Sequence, residues 1–431
     1  MTPSHPSPRP PAKLWAGIVA ASSLDPRTIA MLPLLAAVFI DLFSFGLMYP
    51  VIVSLFAAPA LRHAYSAARI NLYLSLAFSL FPLGMFFGAS LLGDISDAIG
   101  RRRTLLICMA GLGTAYLLML IGVQSGVLEL FLAGRLLSGL MAGTSPIAQA
   151  AMMDHAGADE RGDLLSQVVL VNCVALVSGP AAGGLLGHID FAAPLAFAML
   201  LCVLAFAWIA RARFAEATPR AKLRLSLRRP FEIFAAAWRR PLIRNLALSF
   251  FLFQFGFAFY YTYILVRMAD AYHLSPAALG LFSATLGAGF VLGSTLFYHW
   301  AIARLGQDLR VARLGLLACG AMILLSALPL GAGPQWLLAL LAAITNVLAF
   351  VSLLALISGA AAAEEQGWAL GIGAAMTAAS FFLSGLFAAA IAVIPLALLL
   401  AAGGAIVIAG ILPLGPGLLP VPALADPEPR Q

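Results

Sequence analysis

Long apolar runs, separated by short polar segments, make up most of the chain. Twelve of them come close to the ~20 apolar residues that an α-helix needs to cross the hydrocarbon core of a bilayer. None alternates apolar and polar positions with the period of two that a membrane β-barrel shows. The pattern predicts an all-α polytopic membrane protein with 12 transmembrane helices, at residues 30–56, 70–93, 104–123, 128–153, 164–187, 190–210, 244–267, 276–298, 311–331, 334–357, 367–390 and 391–414. The last two runs are continuous, and only Pro395 marks a turn between them.

The composition supports a membrane location. Of the 431 residues, 62% are hydrophobic and 10% are charged, and the mean hydropathy of +0.99 is far above that of a soluble domain. If the N-terminus is cytoplasmic, 21 of the 25 Lys and Arg residues lie on the cytoplasmic side. The opposite side has three, Arg62, Arg69 and Arg267, and Arg135 lies within a span. Because basic loops stay in the cytoplasm, we expect both termini on the cytoplasmic side. We expect the protein itself to lie in the inner membrane.

The net charge of +7 is therefore a sign of membrane topology, and no soluble basic face for nucleic acid is evident. We divide the chain into an N-tail (1–29), a six-helix unit (30–210), a cytoplasmic basic linker (211–243), a second six-helix unit (244–414) and a C-tail (415–431), with both tails disordered. Within the linker, Phe231, Phe234, Ala235 and Trp238 have helical spacing. They indicate an amphipathic helix on the inner membrane surface, although a solvated basic linker fits equally well.

The two six-helix units resemble each other in sequence. Three short segments of the first have counterparts in the second at nearly one offset, between 205 and 210 residues. The pairs are Ser44–Pro50 with Gln254–Tyr260, Asp97–Arg102 with Ala303–Asp308, and Asp159–Ser166 with Glu364–Gly371. The order and the offset predict a duplicated unit, so that two pseudo-symmetric six-helix bundles form one molecule. Parallel repeats of this kind are an architecture of transporters, with the substrate site between the halves.

The segment "GDISDAIGRRR" (Gly93–Arg103) concentrates charge between two apolar runs. We expect Gly93 to let the second helix approach a neighbour closely, and Gly100 to permit a tight turn. Asp97 can cap the following helix and pair with Arg101. Topology alone could account for the arginines, but it does not account for the acidic residues and the glycines.

The chain resembles a known family, the major facilitator superfamily. "GDISDAIGRRR" looks like its signature loop, although Ala98 stands where the family often has a basic residue. "RLLSGLMAG" (Arg135–Gly143), "SGPAAGG" (Ser178–Gly184) and "IDLFSFGLMYP" (Ile40–Pro50) resemble motifs of the fourth, fifth and first helices. The motif of the fifth helix resembles one typical of antiporters, and the first helix is similar to that of tetracycline and multidrug proton antiporters. The resemblance implies the major facilitator fold over essentially the whole chain.

The resemblance also implies roles for individual residues. Asp97, Arg101 and Asp154 would form a cytoplasmic latch, together with Gly93 and Gly100, that steadies an outward-open state. The glycine-proline motif of the fifth helix would bend that helix at the interface between the halves. Its residues are Gly179, Pro180, Gly183 and Gly184.

Asp41 and Arg135 are the best candidates for a site, and the resemblance would place both in a central cavity. They are the only ionisable residues, other than Tyr and Cys, that lie well inside the spans. Asp41 is about 18 Å from the inner end of its helix and Arg135 about 10 Å from the outer end, which gives similar depths in a core of ~30 Å. A direct or water-bridged pair is therefore geometrically allowed. It either couples protons to transport, since membrane charges are commonly functional, or permanently joins two helices.

Other residues are weaker candidates. The polar and aromatic side chains that could line the cavity also fit ordinary packing or an interfacial belt; they are Tyr49, Gln254, Tyr260, Tyr261 and Asn346. All four cysteines fall in apolar runs and are expected to be small buried residues. The sequence offers no metal site and no catalytic group.

The function that these features indicate is export of a small amphipathic, drug-like molecule in exchange for protons. A nucleotide-driven pump would need a phosphate-binding loop with lysine, which Lys13 and Lys222 do not provide. We expect no enzyme activity, no cofactor, no nucleotide and no nucleic acid, and a monomer whose partners are the substrate, protons and lipid. An exporter of an endogenous metabolite such as a siderophore, or a proton-coupled importer on the same fold, remain alternatives.

Overall fold

The computed structural model describes residues 26–155, 161–212, 228–362 and 365–415, and in these ranges it is helical without any β-strand. Twelve helices there are long and apolar enough to cross a membrane, which confirms the predicted number. We number them α1 to α12: Pro26–Ala57, Ala67–Ile99, Arg101–Ser125, Leu128–Leu140 with Thr144–His155, Arg161–Ile189, Ala192–Arg211, Pro241–Asp270, Pro276–Leu305, Asp308–Ala327, Ala332–Gly359, Gln366–Leu386 and Leu396–Ala409. The two parts of α4 are called α4a and α4b.

The bundle has two distinguishable ends. The turn at Gly100, between α2 and α3, lies at one end, which we call the arginine-rich end because Arg101, Arg102 and Arg103 follow it. The connection from α1 to α2 lies at the opposite end and contains a short helix, Pro59–Ala64.

Corresponding turns and caps repeat between the halves α1–α6 and α7–α12. Ser66 accepts a hydrogen bond from the first turn of α2, and Ser275 does the same for α8. Gly100 and Gly306 have positive φ angles of 96° and 68° in the tight turns that follow α2 and α8. Glycine adopts such angles without the strain that a Cβ would cause.

The internal packing of the halves also repeats. Gly84 and Gly88 bring α2 against the backbone of α4a, and Gly289 and Gly293, 205 positions later in each case, bring α8 against α10. Small residues at these crossings let the helices approach closely. The repeated contacts support the duplication that the sequence predicts.

The halves meet along helices near the opposite end. A Cβ built on Gly184 of α5 would lie 2.4 Å from the Cα of Gly280 of α8, and one on Gly385 of α11 would lie 2.7 Å from the backbone of Ser79 of α2. The backbones of the two halves are therefore in direct contact at both places.

Two stretches differ from the predicted spans. α4 is not continuous, because its helix is interrupted at Met141–Gly143. After α11, the 3₁₀ segment Phe387–Ala392 and a turn ending at Pro395 separate α11 from α12. The last span therefore begins at Leu396, five residues after the predicted start at 391.

The linker contains the predicted helix, Arg229–Trp238, but one side of it packs against the bundle. The rings of Phe231 and Phe234 lie 5.6 and 5.9 Å from the ring of Phe86 in α2. Phe231, Ala235 and Trp238 are exposed and Ala237 is buried, so the predicted contact of the apolar face with the membrane surface stays a prediction. The predicted tails, up to residue 25 and from residue 416, and linker residues 213–227 lie outside the described residues.

Candidate functional site

A cavity of about 300 Å³ lies between the two halves in the middle of the bundle. α1, α2, α4 and α5 form one wall, and α7, α8, α10 and α11 form the other. The cavity is lined by Asp41, Leu42, Phe45, Phe81, Pro82, Met85, Ala142, Leu176, Gln254, Phe257, Tyr261, Phe290, Asn346, Phe350, Thr377, Ala378 and Phe381. A largely apolar cavity with a few convergent polar groups is typical of a small-molecule site.

Aromatic rings dominate the lining, and sequence reasoning missed most of them. Seven of the lining residues are Phe or Tyr, and Tyr261 alone among these seven was a candidate. With 28 Phe in the chain, the sequence has no signal that separates cavity rings from lipid-facing ones. In the part of the chain that the structure describes, the only charged side chain of the lining is Asp41, which was a candidate from the sequence.

Asp41 is held by the interruption of α4. Its Oδ2 atom accepts a hydrogen bond of 3.1 Å from the backbone N–H of Ser145, in the first turn of α4b. First-turn N–H groups have no partner within their own helix, and the helix dipole favours a negative charge there. The sequence signal for this helix start was Gly143 followed by Pro146, since proline is favoured in a first turn.

The direct ion pair of Asp41 and Arg135 that the sequence allowed does not form among the described residues. Arg135 is 2% exposed, and its Nε atom donates a 3.0 Å hydrogen bond to the backbone oxygen of Ala77. Its guanidinium carbon lies 5.0 Å from the centre of the Phe81 ring, a cation–π distance. Phe81 faces the cavity, and Arg135 is not part of the lining. The expectation that both charges lie in the cavity was therefore wrong for Arg135, whose partners are a carbonyl and a ring.

Three of the five weaker candidates line the cavity. Gln254 donates from Nε2 to Thr377 Oγ1 at 3.0 Å, and Tyr261 and Asn346 face the same space. Asn346 is 6% exposed, and its Nδ2 has no hydrogen-bond partner in the described structure. Tyr49 and Tyr260 are buried away from the lining.

An aromatic cluster closes the cavity toward the opposite end. The rings of Tyr49 and Tyr261, from α1 and α7, are 4.7 Å apart and edge to face. Phe381 of α11 lies 6.0 Å from Tyr261 and 6.5 Å from Phe45. Phe45 and Tyr49 follow Asp41 along α1, away from the arginine-rich end. The cluster therefore joins the halves on the far side of Asp41.

The predicted charge cluster forms at the arginine-rich end. Arg101 donates to Asp97 at 2.8 Å and to Ser96 at 2.8 Å, and lies 3.5 Å from Asp154 at the end of α4b. Asp97 does not cap α3, whose start has no side-chain cap. Gly93 makes no close contact, since a Cβ there would meet nothing within 4 Å, so its predicted role was wrong.

The glycine-proline motif of α5 packs on both halves. A Cβ on Gly179 or Gly183 would lie 2.5 or 2.2 Å from carbonyl oxygens of α1, while Gly184 contacts α8 of the other half. α5 runs unbroken through Pro180. The motif thus lies where α5 contacts both α1 and α8, and its role as a hinge stays a prediction.

Arg267 and the four cysteines are not among the residues that line the cavity. Arg267, expected in an external loop, is 7% exposed and donates to the backbone oxygens of Ser326, Ala327 and Leu328 at the end of α9. The four cysteines are free thiols, with Cys173 partly exposed and the other three buried as expected. No group of three or more potential metal ligands occurs within the described residues.

Two helical halves that enclose a central cavity inside a membrane bundle define a secondary-transporter architecture. The chain belongs to the Major Facilitator Superfamily, whose sequence model matches residues 34–385. Among its relatives is the tetracycline resistance protein, class G, of Vibrio anguillarum, 32% identical over 180 residues, 42% of this chain and 44% of that protein. The class C protein of Escherichia coli is 31% identical over 172 residues, 40% of this chain and 41% of that protein.

These alignments span about two fifths of the length of the relatives. The crystal structure of the human organic anion transporter MFSD10 (TETRAN) has the same fold, with a TM-score of 0.67 at 18% identity. That comparison covers 91% of this chain and 100% of the other. It concerns the fold, which is thereby that of a major facilitator transporter along nearly the whole chain.

Proposed function

We propose that the protein is a proton-coupled exporter of small amphipathic molecules, which it moves by alternating access of the central cavity. The observation that carries the proposal is the cavity between the halves, where the carboxylate of Asp41 is the only charged side chain among the described lining residues. Asp41 is also the only carboxyl group among the described lining residues, and the other polar side chains there are amides, a hydroxyl and a phenol, so Asp41 is the group best suited to exchange a proton.

The walls match the two parts of an amphipathic substrate. Seven aromatic rings offer apolar area and faces on which a planar or cationic group can stack. Asp41, Gln254, Asn346 and Thr377 supply the polar contacts. A substrate that reaches Asp41 favours the carboxylate form if it brings a positive charge or a hydrogen-bond donor, and thereby releases the proton.

The contacts along the bundle fit one state of the cycle. The aromatic cluster and the Gly184–Gly280 contact hold the halves together on the far side of Asp41. The distribution of basic residues supports a cytoplasmic location for the arginine-rich end. We assign the described conformation to the state that is closed toward the outside, and the outward-open state to separation of the aromatic cluster. The Arg101 cluster is formed in this conformation, so its ion pairs are not confined to the outward-open state that the resemblance implied.

The relatives of the chain support the substrate class. Tetracycline resistance proteins align with this chain at about 30% identity over two fifths of its length. Tetracycline is therefore the first probe for this protein. Export of an endogenous metabolite such as a siderophore and proton-coupled import are the competing outcomes of the same test.

Transport in inverted membrane vesicles tests the proposal. Vesicles with an imposed inward-acidic pH gradient are given tetracycline, tetraphenylphosphonium or a hydroxamate chelator, with and without a protonophore. We expect gradient-driven accumulation of at least one lipophilic compound in wild-type vesicles, and none with Asp41→Asn. Accumulation of the chelator alone would favour the metabolite exporter. Gradient-driven loss of preloaded compound would overturn export in favour of import.

A further inference from the structure

Asp41 occupies the position of a helix cap, although it belongs to another helix. Gly143 is the cap residue of α4b, because its carbonyl oxygen accepts the first helical hydrogen bond, from Ile147 at 3.2 Å. A cap side chain normally accepts the N–H of the second or third helical residue. Gly143 has no side chain. Instead Asp41, which belongs to α1, accepts a hydrogen bond from the N–H of Ser145, the second residue of α4b.

Of the two N–H groups that a cap can accept, those of the second and third helical residues, α4b has only the first. The third helical residue is Pro146, which has no N–H. The Thr144 hydroxyl donates back to the oxygen of Met141 at 3.0 Å, which holds the turn at the interruption. The Ser145 N–H is therefore the cap donor of α4b, and Ala142 of the same turn lines the cavity beside Asp41.

The far end of α4b belongs to the charge cluster. Asp154, eleven residues after Gly143, lies 3.5 Å from Arg101. A helix of this length is about 16 Å long, so it extends from the cavity to the arginine-rich end. Near its start, a Cβ on Gly143 would meet Leu92 of α2 at 2.9 Å, so α4b also contacts the helix that precedes the cluster.

We propose that Asp41 is the N-cap of α4b, and that the proton it exchanges thereby controls how firmly α4b is held between the cavity and the Arg101 cluster. A carboxylate accepts a hydrogen bond more strongly than a neutral carboxyl group does. When Asp41 takes up its proton, this interaction is weakened to about half its strength but is not abolished. The inference rests on the proposed proton exchange and adds the element that responds to it.

Few other titratable groups face Asp41. Cys108 and Tyr116 of α3 and Cys202 of α6 are within electrostatic range of it, and Tyr261 of α7 lies on the opposite cavity wall. Thiols and phenols ordinarily titrate above physiological pH. Arg135 of α4a is directed to Ala77 of α2. α5 and α8 contribute Leu176 and Phe290 to the wall around Asp41. Asp41 is therefore the group whose charge changes at this helix start.

A matched pair of variants at Gly143 tests the cap. Gly143→Ser and Gly143→Ala add the same Cβ near Leu92, but only the serine adds an oxygen that can accept the Ser145 N–H. The probe is the infrared carbonyl band of the protonated carboxyl group in purified protein, assigned to Asp41 by its loss in Asp41→Asn. The serine competes for the N–H that stabilises the carboxylate, so the band should persist to a pH about one unit higher than in the alanine variant.

Equal band midpoints in the two Gly143 variants, or a band that Asp41→Asn leaves intact, would overturn the inference. The vesicle assay reports on the proposed function separately. Proton-driven accumulation together with equal midpoints would refute the cap alone. A shifted midpoint without any proton-driven accumulation would refute the proposed function and leave the cap standing.

Amide hydrogen exchange tests the response of the helix. Asp41→Asn keeps an oxygen that can accept the Ser145 N–H, whereas Asp41→Ala removes it. We expect peptides of α4b to exchange at least about threefold faster in Asp41→Ala than in Asp41→Asn, because a capped first turn opens less often. Peptides of α4a are the internal control and should exchange alike. Equal exchange of α4b in both variants would contradict the cap.

Discussion

The two halves share a scaffold but differ at the cavity. The repeat offset of 205 places Asn346 opposite Met141 and Leu340 opposite Arg135. α4 is interrupted at Met141–Gly143, whereas α10 is continuous from Ala332 to Gly359. The first half thus contributes a carboxylate and a broken helix to the cavity, and the second half contributes an amide on an unbroken helix.

This difference suggests that proton exchange and substrate recognition are divided between the two halves. A charge inside the bilayer costs several kcal/mol unless it is paired or solvated, so a copy without such a role is expected to lose it. In the second half, Gln254, Asn346 and Thr377 are polar but neutral. We interpret the first half as the proton-responsive half and the second as a recognition surface.

The largest difference between the halves is expected for transport, when a residue of the charge cluster and one of the corresponding loop in the second half are substituted. Asp97→Asn removes the 2.8 Å ion pair with Arg101, and we expect a loss of transport of about tenfold or more because the conformational cycle is disturbed. Binding of the transported compound should change little, since the cluster is outside the cavity. The corresponding loop of the second half provides the control, Gln307→Ala, which should retain transport. A comparable loss of binding and transport in Asp97→Asn would refute a role in cycling.

Arg135 and its counterpart Leu340 should differ in stability. Arg135→Ala removes a buried side chain with a hydrogen bond and a ring contact, and we expect about 2–4 kcal/mol of destabilisation. Leu340 is only partly buried, so Leu340→Ala should cost less than about 2 kcal/mol. Thermal unfolding of both purified variants measures the difference. Equal destabilisation would mean that the contacts of Arg135 add nothing beyond its volume.

The glycine crossings sharpen the comparison of the scaffolds. A Cβ on Gly88 would lie 2.2 Å from a backbone oxygen of α4a, whereas one on Gly293 would lie 2.9 Å from the Val347 Cβ and 3.0 Å from the backbone oxygen of Ile344. The overlap at Gly88 is the deeper of the two, so Gly88→Ala should destabilise by about 1–3 kcal/mol and Gly293→Ala by less. Thermal unfolding again provides the measurement. A larger effect at Gly293 would contradict the packing described for α8.

The smallest effect concerns the start of the second half. The hydrogen bond from Arg240 holds the pKa of Glu365 below its ordinary value. The stabilisation is therefore present above the ordinary carboxyl pKa and is lost as pH falls through the lowered one. Both side chains are substantially exposed, so Glu365→Gln should lower the unfolding temperature only slightly at pH 7, and by progressively less as the pH is lowered below the ordinary carboxyl pKa. A pH-independent effect would contradict the ion pair as its cause.

The sequence predicted the number of helices, the duplication and the Asp97–Arg101 pair, because hydrophobic length, internal repeats and local spacing are read directly from the chain. The partner of Arg135 could not be predicted, since depth alone does not decide between a carboxylate on one neighbour and a carbonyl on another. Tyr260 and Tyr261 show the same limit. Adjacent helical residues point about 100° apart, and only packing decides which one faces the cavity.

The interruption of α4 could have been noticed in the sequence. Glycine followed by threonine, serine and proline is a helix-start pattern, and here it lies inside an apolar run, at Gly143–Pro146. A search for unbroken spans passes over such a pattern. Its consequence, a first-turn N–H aimed at Asp41, depends on the packing of α1 against α4b and is visible only in the structure.

Substrate-induced proton release tests the central claim, that Asp41 is the group that exchanges the proton. The compound that accumulates in the vesicle assay is added to purified protein in weakly buffered detergent solution, and the pH change is recorded for wild type and Asp41→Asn. Asn keeps the shape and the hydrogen-bonding oxygen of Asp but cannot titrate. We predict proton release from wild type and none from Asp41→Asn. Equal release from both proteins would contradict the account, because the exchanged proton would then reside on another group.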